Sequence, residues 1–259
     1  MKKGKIIGIA VTCLLSASAL ICGGIFLYQY FDAQNSAAAF DELAGLVVEV
    51  TPPAPDVSDA EGEEPAASEA ELALEKYGAL FEQNNDFIGW ISIDGTSIHY
   101  PVMRTPDNPN YYLKHGFDKI YSNYGVPYID EACVPGLSNN IVIYGHHMND
   151  GSMFADLCSY ADRGFYEGHK SIRFDTLSAF GEYEVVAAFR FNTNRDTFRY
   201  NEYTNMDEAE FAEFLENVRA WALYDTGVEV EYGDELLILS TCEYTYKNGR
   251  FVVVAKKVG

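Results

Sequence analysis

Residues 6–28 run without a single charged side chain, between Lys2, Lys3 and Lys5 on one side and Asp32 on the other. Twenty-three residues at ~1.5 Å per residue span a bilayer core of ~30 Å as one helix. A cleavable leader carries an apolar core of only ~7–15 residues. The Ser16-Ala17-Ser18-Ala19 patch resembles a cleavage site, but it lies in mid-run with apolar residues continuing past it. Cys22 follows Ile21, where a lipoprotein cleavage site requires a small residue. The run therefore reads as an uncleaved signal-anchor. Three lysines precede it and no Lys or Arg occurs from 32 to 75, so the positive-inside rule puts the N-terminus in the cytoplasm and the bulk of the chain outside.

The remainder divides by composition. Residues 51–66 carry four prolines and five acids, an extended spacer stiffened by Pro and charge repulsion. Before it, the mostly apolar stretch 43–50 reads as a membrane-proximal helix. We expect a signal-anchor at 1–31, an acidic Pro-rich extracellular spacer at 32–67 and one sizeable domain at 68–259. Outside the lysine cluster, 15 basic residues face 39 acidic ones. That balance excludes a nucleic-acid partner, whose phosphates reward Lys and Arg. Of five cysteines, Cys13 and Cys22 fall in the apolar run as small apolar residues. Cys133, Cys158 and Cys242 lie beyond it; three is odd, so one thiol stays free even if two pair, and a 133–158 disulfide is one arrangement the sequence allows.

From Ser68 the pattern is helical, with Leu72, Leu74, Tyr77, Leu80 and Phe81 near a 3.6 period and Ser68 with Glu71 placed as a capping pair. Strand patterns follow at 87–93, 97–103, 125–129, 140–144, 171–177, 183–191, 235–241 and 250–257, with a turn at Asp94-Gly95. A helix is expected near 153–160. Another is expected at 206–223, where Phe211, Phe214, Leu215, Val218, Trp221 and Ala222 form one stripe behind Asp207 and Glu208. Strands dominate and no βαβ series appears. The expected class is mainly β, a closed or nearly closed β-barrel with peripheral helices.

Two strand ends carry chemistry. The run Leu236-Leu237-Ile238-Leu239-Ser240-Thr241 ends on Cys242, and Arg250 opens Phe251-Val252-Val253-Val254-Ala255 after a short polar connection. Upstream, Ile141-Val142-Ile143-Tyr144-Gly145 ends on His146 and His147. A thiol, an imidazole and a fixed cation are the parts of a cysteine acyl-transfer site. Cys242 as thiolate would attack a peptide carbonyl. A histidine would serve the leaving and incoming amines. Arg250 cannot act as a base, but its donors suit a carbonyl or developing oxyanion. Ser240 and Thr241 could lend a hydroxyl or shape the pocket, and the backbone N–H of Glu243 is a candidate oxyanion donor. A Cys ending an apolar strand is more often simply buried; the Arg and the His block reverse that weighting. His99, His115 and His169 read as structural or exposed.

These blocks resemble the sortases. Leu239-Ser240-Thr241-Cys242 with Gly249-Arg250-Phe251-Val252-Val253 is similar to their Cys-to-Arg signature, and 140–148 with Gly151-Ser152-Met153-Phe154 to their His loop. The blocks Asn84-Asn85-Asp86-Phe87-Ile88-Gly89-Trp90-Ile91, Tyr100-Pro101-Val102-Met103 and Tyr111-Tyr112-Leu113, with a helix between late strands, resemble class B in particular. The likeness runs from about residue 72 to the C-terminus. It implies an eight-stranded barrel and a membrane-anchored transpeptidase outside a Gram-positive cell, acting on surface proteins that bear a sorting motif and on a peptidoglycan or precursor amine. It assigns the catalytic imidazole, directly after Gly145, to His146, leaving His147 as a packed or hydrogen-bonded neighbour.

Neither His-Glu-x-x-His nor Cys-x-x-Cys occurs, and no Asp-x-Asp-x-Asp-Gly loop accompanies the acids, so no metal or other cofactor is expected. Only seven residues separate Cys242 from Arg250, a connection short enough to narrow the acceptor side of a groove. The Asp-Pro-Trp or Asp-Pro-Phe lid of many pilus-assembling sortases is missing. The rival readings are a pilin-polymerising sortase, a plain cysteine peptidase, and an inactive membrane-tethered binding module.

Overall fold

In the computed structural model, residues 2–50, 67–245 and 247–258 are described, with side chains from residue 11 onward. The expected spacer at 51–66 lies outside the described residues. The chain forms two compact units, Met1–Asp41 and Glu42–Gly259. Helix α1 (Lys2–Ala44) exposes Leu14, Leu20, Ile21 and Phe26. It is long and apolar enough to cross a membrane. It does not stop near residue 31 but continues through Ala44, because the stretch from Ala37 to Ala44 contains no Gly or Pro to break it. The expected helix at 43–50 is therefore corrected: only Leu43 and Ala44 are helical. The chain then turns, and Val48 N–H donates to the Lys76 carbonyl at 3.1 Å.

The body opens with α2 (Glu69–Gln83), whose capping box joins Ser68 and Glu71 as their spacing suggests. Its buried face, Ala73, Tyr77 and Leu80, rests on the first strand. Eight strands follow: β1 (Phe87–Ser92), β2 (His99–Met103), β3 (Tyr128–Ile129), β4 (Asn140–Tyr144), β5 (Ser171–Thr176), β6 (Glu182–Asn192), β7 (Leu236–Glu243) and β8 (Gly249–Lys257). They close into a barrel in the order β1-β2-β3-β4-β7-β8-β6-β5. Among the described strands closure gives each one two neighbours, although β2 meets the short β3 only at Met103. β3 is shorter than the 125–129 pattern suggests. Gly125 turns through φ +60° and Val126 N–H donates to Tyr112 O, while Pro127 has no N–H to give a ladder.

The expected helix near 153–160 is a 3-10 segment at Ala155–Ala161, followed by α3 (Arg163–Gly168) capped by Asp162. Met153 sits at φ 59° in a bridge to His147, so the helical turn cannot start there. Between β6 and β7, α4 (Glu208–Trp221) begins with an Asp207–Glu210 capping box and buries Phe211, Phe214, Leu215 and Val218. Each such side chain contributes up to about 2 kcal/mol of burial, which fastens α4 to β6.

One feature of the topology places the site. β4 and β7 pair in parallel, Tyr144 opposite Ser240, so both strands end at the same rim of the barrel. β8 runs back antiparallel from that rim, with Arg250 opposite Cys242, and β6 arrives there with Phe191 opposite Arg250.

Candidate active site

Because β4 and β7 end side by side, Gly145, His146 and His147 emerge next to Thr241 and Cys242. The joint is sewn by hydrogen bonds that outlast the regular ladder. Gly145 N–H donates to Ser240 O at 3.1 Å, and Thr241 Oγ1 donates to Gly145 O at 2.9 Å. Glycine is required at 145, since a Cβ there would lie 2.5 Å from Cγ of the buried Phe154 ring.

His146, Cys242 and Arg250 all line one groove of about 330 Å³, together with Ser240 and Thr241. The His146 ring is held by Leu113, whose carbonyl lies 2.7 Å from Nε2. A carbonyl only accepts, so Nε2 carries the proton and Nδ1 is left as the basic nitrogen. Burial holds the His146 pKa below its ordinary value, and the Lys114 and Arg250 cations push the same way, against the Leu113 carbonyl. Arg250 is tied to its own strand by Nη1 donating to Gly249 O at 3.0 Å. Among the described residues no hydrogen bond joins His146, Cys242 and Arg250 directly; the groove between them is the space a substrate would occupy.

The neighbours expected to support the site are placed as follows. Ser240 Oγ, fully buried, pairs with Tyr200 Oη at 2.7 Å, so its hydroxyl is committed to the wall of the groove. Thr241 is likewise engaged with Gly145. The Glu243 side chain is buried outside the groove lining, bound to Thr245 and facing Arg190. Since the Ser240 and Cys242 carbonyls both point to the β4 side, strand alternation directs the Glu243 N–H toward β8. His147 lies behind Cys242, with its Nδ1 3.1 Å from Cys242 O. Cys133 and Cys158 are both free, so the 133–158 disulfide is not formed. Among the described residues no group of three His, Cys, Asp or Glu side chains converges as a metal site would need.

Several wall residues were not foreseen from the sequence. Tyr128, Tyr144 and Tyr200 line the groove with Phe191. Their phenols are anchored to Asn110, Asp130 and Ser240. Burial raises all three phenol pKa values, so these tyrosines stay neutral beside the Arg199 and Arg250 cations of the same groove.

A sortase-domain family model matches residues 91–258, which takes in every strand from β2 to β8. The chain belongs to the sortase family. Sortase B of Listeria monocytogenes is 34% identical over 182 residues, 69% of this chain and 72% of the relative. Sortase B of Staphylococcus aureus is 33% identical over 184 residues, covering 70% and 74%. Among solved structures, Bacillus anthracis sortase B in complex with AAEK1 superposes with a TM-score of 0.71 at 28% identity, over 88% of this chain and 99% of that one. The S. aureus sortase B–substrate complex gives 0.70 at 26%, over 88% and 98%. The chain is thus a class B-like sortase, a member of a cysteine transpeptidase family that acts on sorting-motif proteins and cell-wall amines.

Proposed function

We propose that this chain is a membrane-anchored class B transpeptidase in which Cys242 is the nucleophile, His146 the acid–base and Arg250 the oxyanion or carbonyl donor. The observation that carries this reading is the convergence of these three side chains on one groove from β7, the β4 exit loop and β8. Neutral His146 takes the Cys242 proton on Nδ1 as sulfur attacks the carbonyl after Thr of a sorting motif. Arg250 donates to the oxygen that gains charge. The imidazolium then returns its proton to the leaving amine, and a thioacyl enzyme remains. A cell-wall amine attacks that thioester, losing a proton to His146, and the product is an amide to peptidoglycan. Positioning in the groove favours the amine over ~55 M water through effective concentration.

In this reading α1 is the signal-anchor that holds the catalytic body outside the cell, behind the acidic spacer. The test is mass spectrometry of the protein mixed with a pool of Thr-containing pentapeptides and a panel of amines. A thioacyl adduct on Cys242 that passes to an amine is the expected outcome and names motif and acceptor. Passage to a pilin lysine would make it a polymerase, and release only to water a peptidase. No adduct at all, with Cys242 unreactive to alkylation, would leave an inactive binding module.

A further inference from the structure

The histidine next to the proposed acid–base does something different from its neighbour. His147 Nδ1 lies 3.1 Å from the carbonyl oxygen of Cys242. That oxygen only accepts, so Nδ1 carries a proton and donates it. The same nitrogen is 3.4 Å from Cys158 Sγ, which is itself 4.0 Å from Cys242 O. The Cys158 thiol, pushed up to about 12 by burial, stays protonated. On the other side Tyr244 Oη donates to the His147 carbonyl at 2.8 Å, and its ring meets the imidazole edge-on at 5.0 Å. His147 is therefore held at both ends, by its ring to Cys242 and by its backbone to Tyr244. This continues the β4–β7 seam two residues past the last ladder pair, with a side chain in place of a strand.

We propose that His147 is a positioning residue for the nucleophile: its Nδ1–H clasps the Cys242 carbonyl and so fixes where β7 ends relative to the His146 loop. The inference rests on Cys242 being the nucleophile. His146 lies between two anchors, Gly145 to Ser240 and His147 to Cys242. Releasing the second anchor frees the sulfur-bearing residue without touching the groove, which His147 does not line. Only the donor at the Nδ1 position matters, and an asparagine amide places an N–H at the same number of bonds from the backbone.

The experiment compares the full chain with His147→Ala, His147→Asn and His147→Gln. One readout is turnover of the pentapeptide that acylates the wild type fastest. The other is the rate of iodoacetamide alkylation at Cys242, mapped by mass spectrometry, with thermal unfolding confirming that each variant is folded. His147→Ala should lower kcat about tenfold, the rate equivalent of one hydrogen bond, with KM changed less than about twofold. His147→Asn should recover to within about threefold of wild type, while His147→Gln, whose amide reaches one methylene too far, should stay near the alanine level. Alkylation of Cys242 should follow the same order. A folded His147→Ala with wild-type kcat and alkylation overturns the clasp. So does a folded His147→Asn as slow as the alanine variant, which would mean that the imidazole itself is needed. A wild type that never forms a thioacyl adduct sinks the functional reading instead, and the alkylation series alone then decides the clasp.

Discussion

Cys242 and Arg250 face each other across one antiparallel pair, and their substitutions should separate cleanly. Cys242→Ala should abolish the thioacyl adduct while leaving thermal unfolding near that of wild type. Arg250→Lys keeps the charge but loses the planar fork, and should cut kcat about a hundredfold; an Arg250→Ala enzyme of normal activity would remove Arg250 from the mechanism. His146 makes a separate prediction. Its pKa lies below the ordinary 6.5, chiefly through burial, so its ring proton signal should titrate at lower pH than that of an exposed histidine. Between the lowered value and 6.5 the unfolded chain binds a proton that the folded chain refuses. Stability from this residue is thus complete above about 6.5 and lost as pH falls through the folded value. A thermal midpoint that falls from pH 6.5 toward acid in wild type, and falls less in His146→Gln, checks the sign.

At the scale of elements, the parallel β4–β7 pair and its exit loop decide the site's geometry. Gly145→Ala would drive a methyl group into the buried Phe154 ring. We expect it to destabilise the fold by about 2 kcal/mol and to displace His146, with turnover lost well beyond what the stability change explains; a fully active Gly145→Ala would show that the ring can retreat. Much of this level was readable beforehand. The runs ending on Cys242 and on His146 are unbroken apolar strands, and two such strands that finish on reactive side chains belong at one rim. The cap of α2 was visible as Ser68 with Glu71, whereas Asp207, read only as an acid favouring the start of the helix at 206–223, is the N-cap of α4 in a box with Glu210. What stayed hidden depends on backbone or on irregular structure. The Leu113 carbonyl that orients His146 leaves no side-chain signature, and Tyr200 reaches Ser240 from a short 3-10 turn with no period to read. The 153–160 pattern misled because helical spacing does not register the left-handed Met153.

For the whole molecule, the body begins earlier than composition suggested. Leu43 is buried and Val48 bonds to Lys76, ahead of the spacer. A chain starting at Glu42 should therefore be more stable than one starting at Ser68 by about 3 kcal/mol, from one buried leucine and one hydrogen bond. In a body of this size that is about 5–10 °C of thermal midpoint, and equal midpoints would show that 42–50 adds nothing. If α1 is the proposed anchor, the full chain should sediment with membranes through an alkaline carbonate wash and come away only in detergent. The chain from Glu42 should remain in the supernatant. The ring closes in an order of its own: β7 lies between β4 and β8, and β7 and β8, the last two strands of the chain, carry Cys242 and Arg250. A nascent chain that has delivered six strands holds His146 but neither Cys242 nor Arg250, and a chain cut short after β7 holds Cys242 without the strand that carries Arg250. If Cys242 is the nucleophile, the ring of strands and the guanidinium opposite the sulfur are complete only once the final strand, β8, is in place.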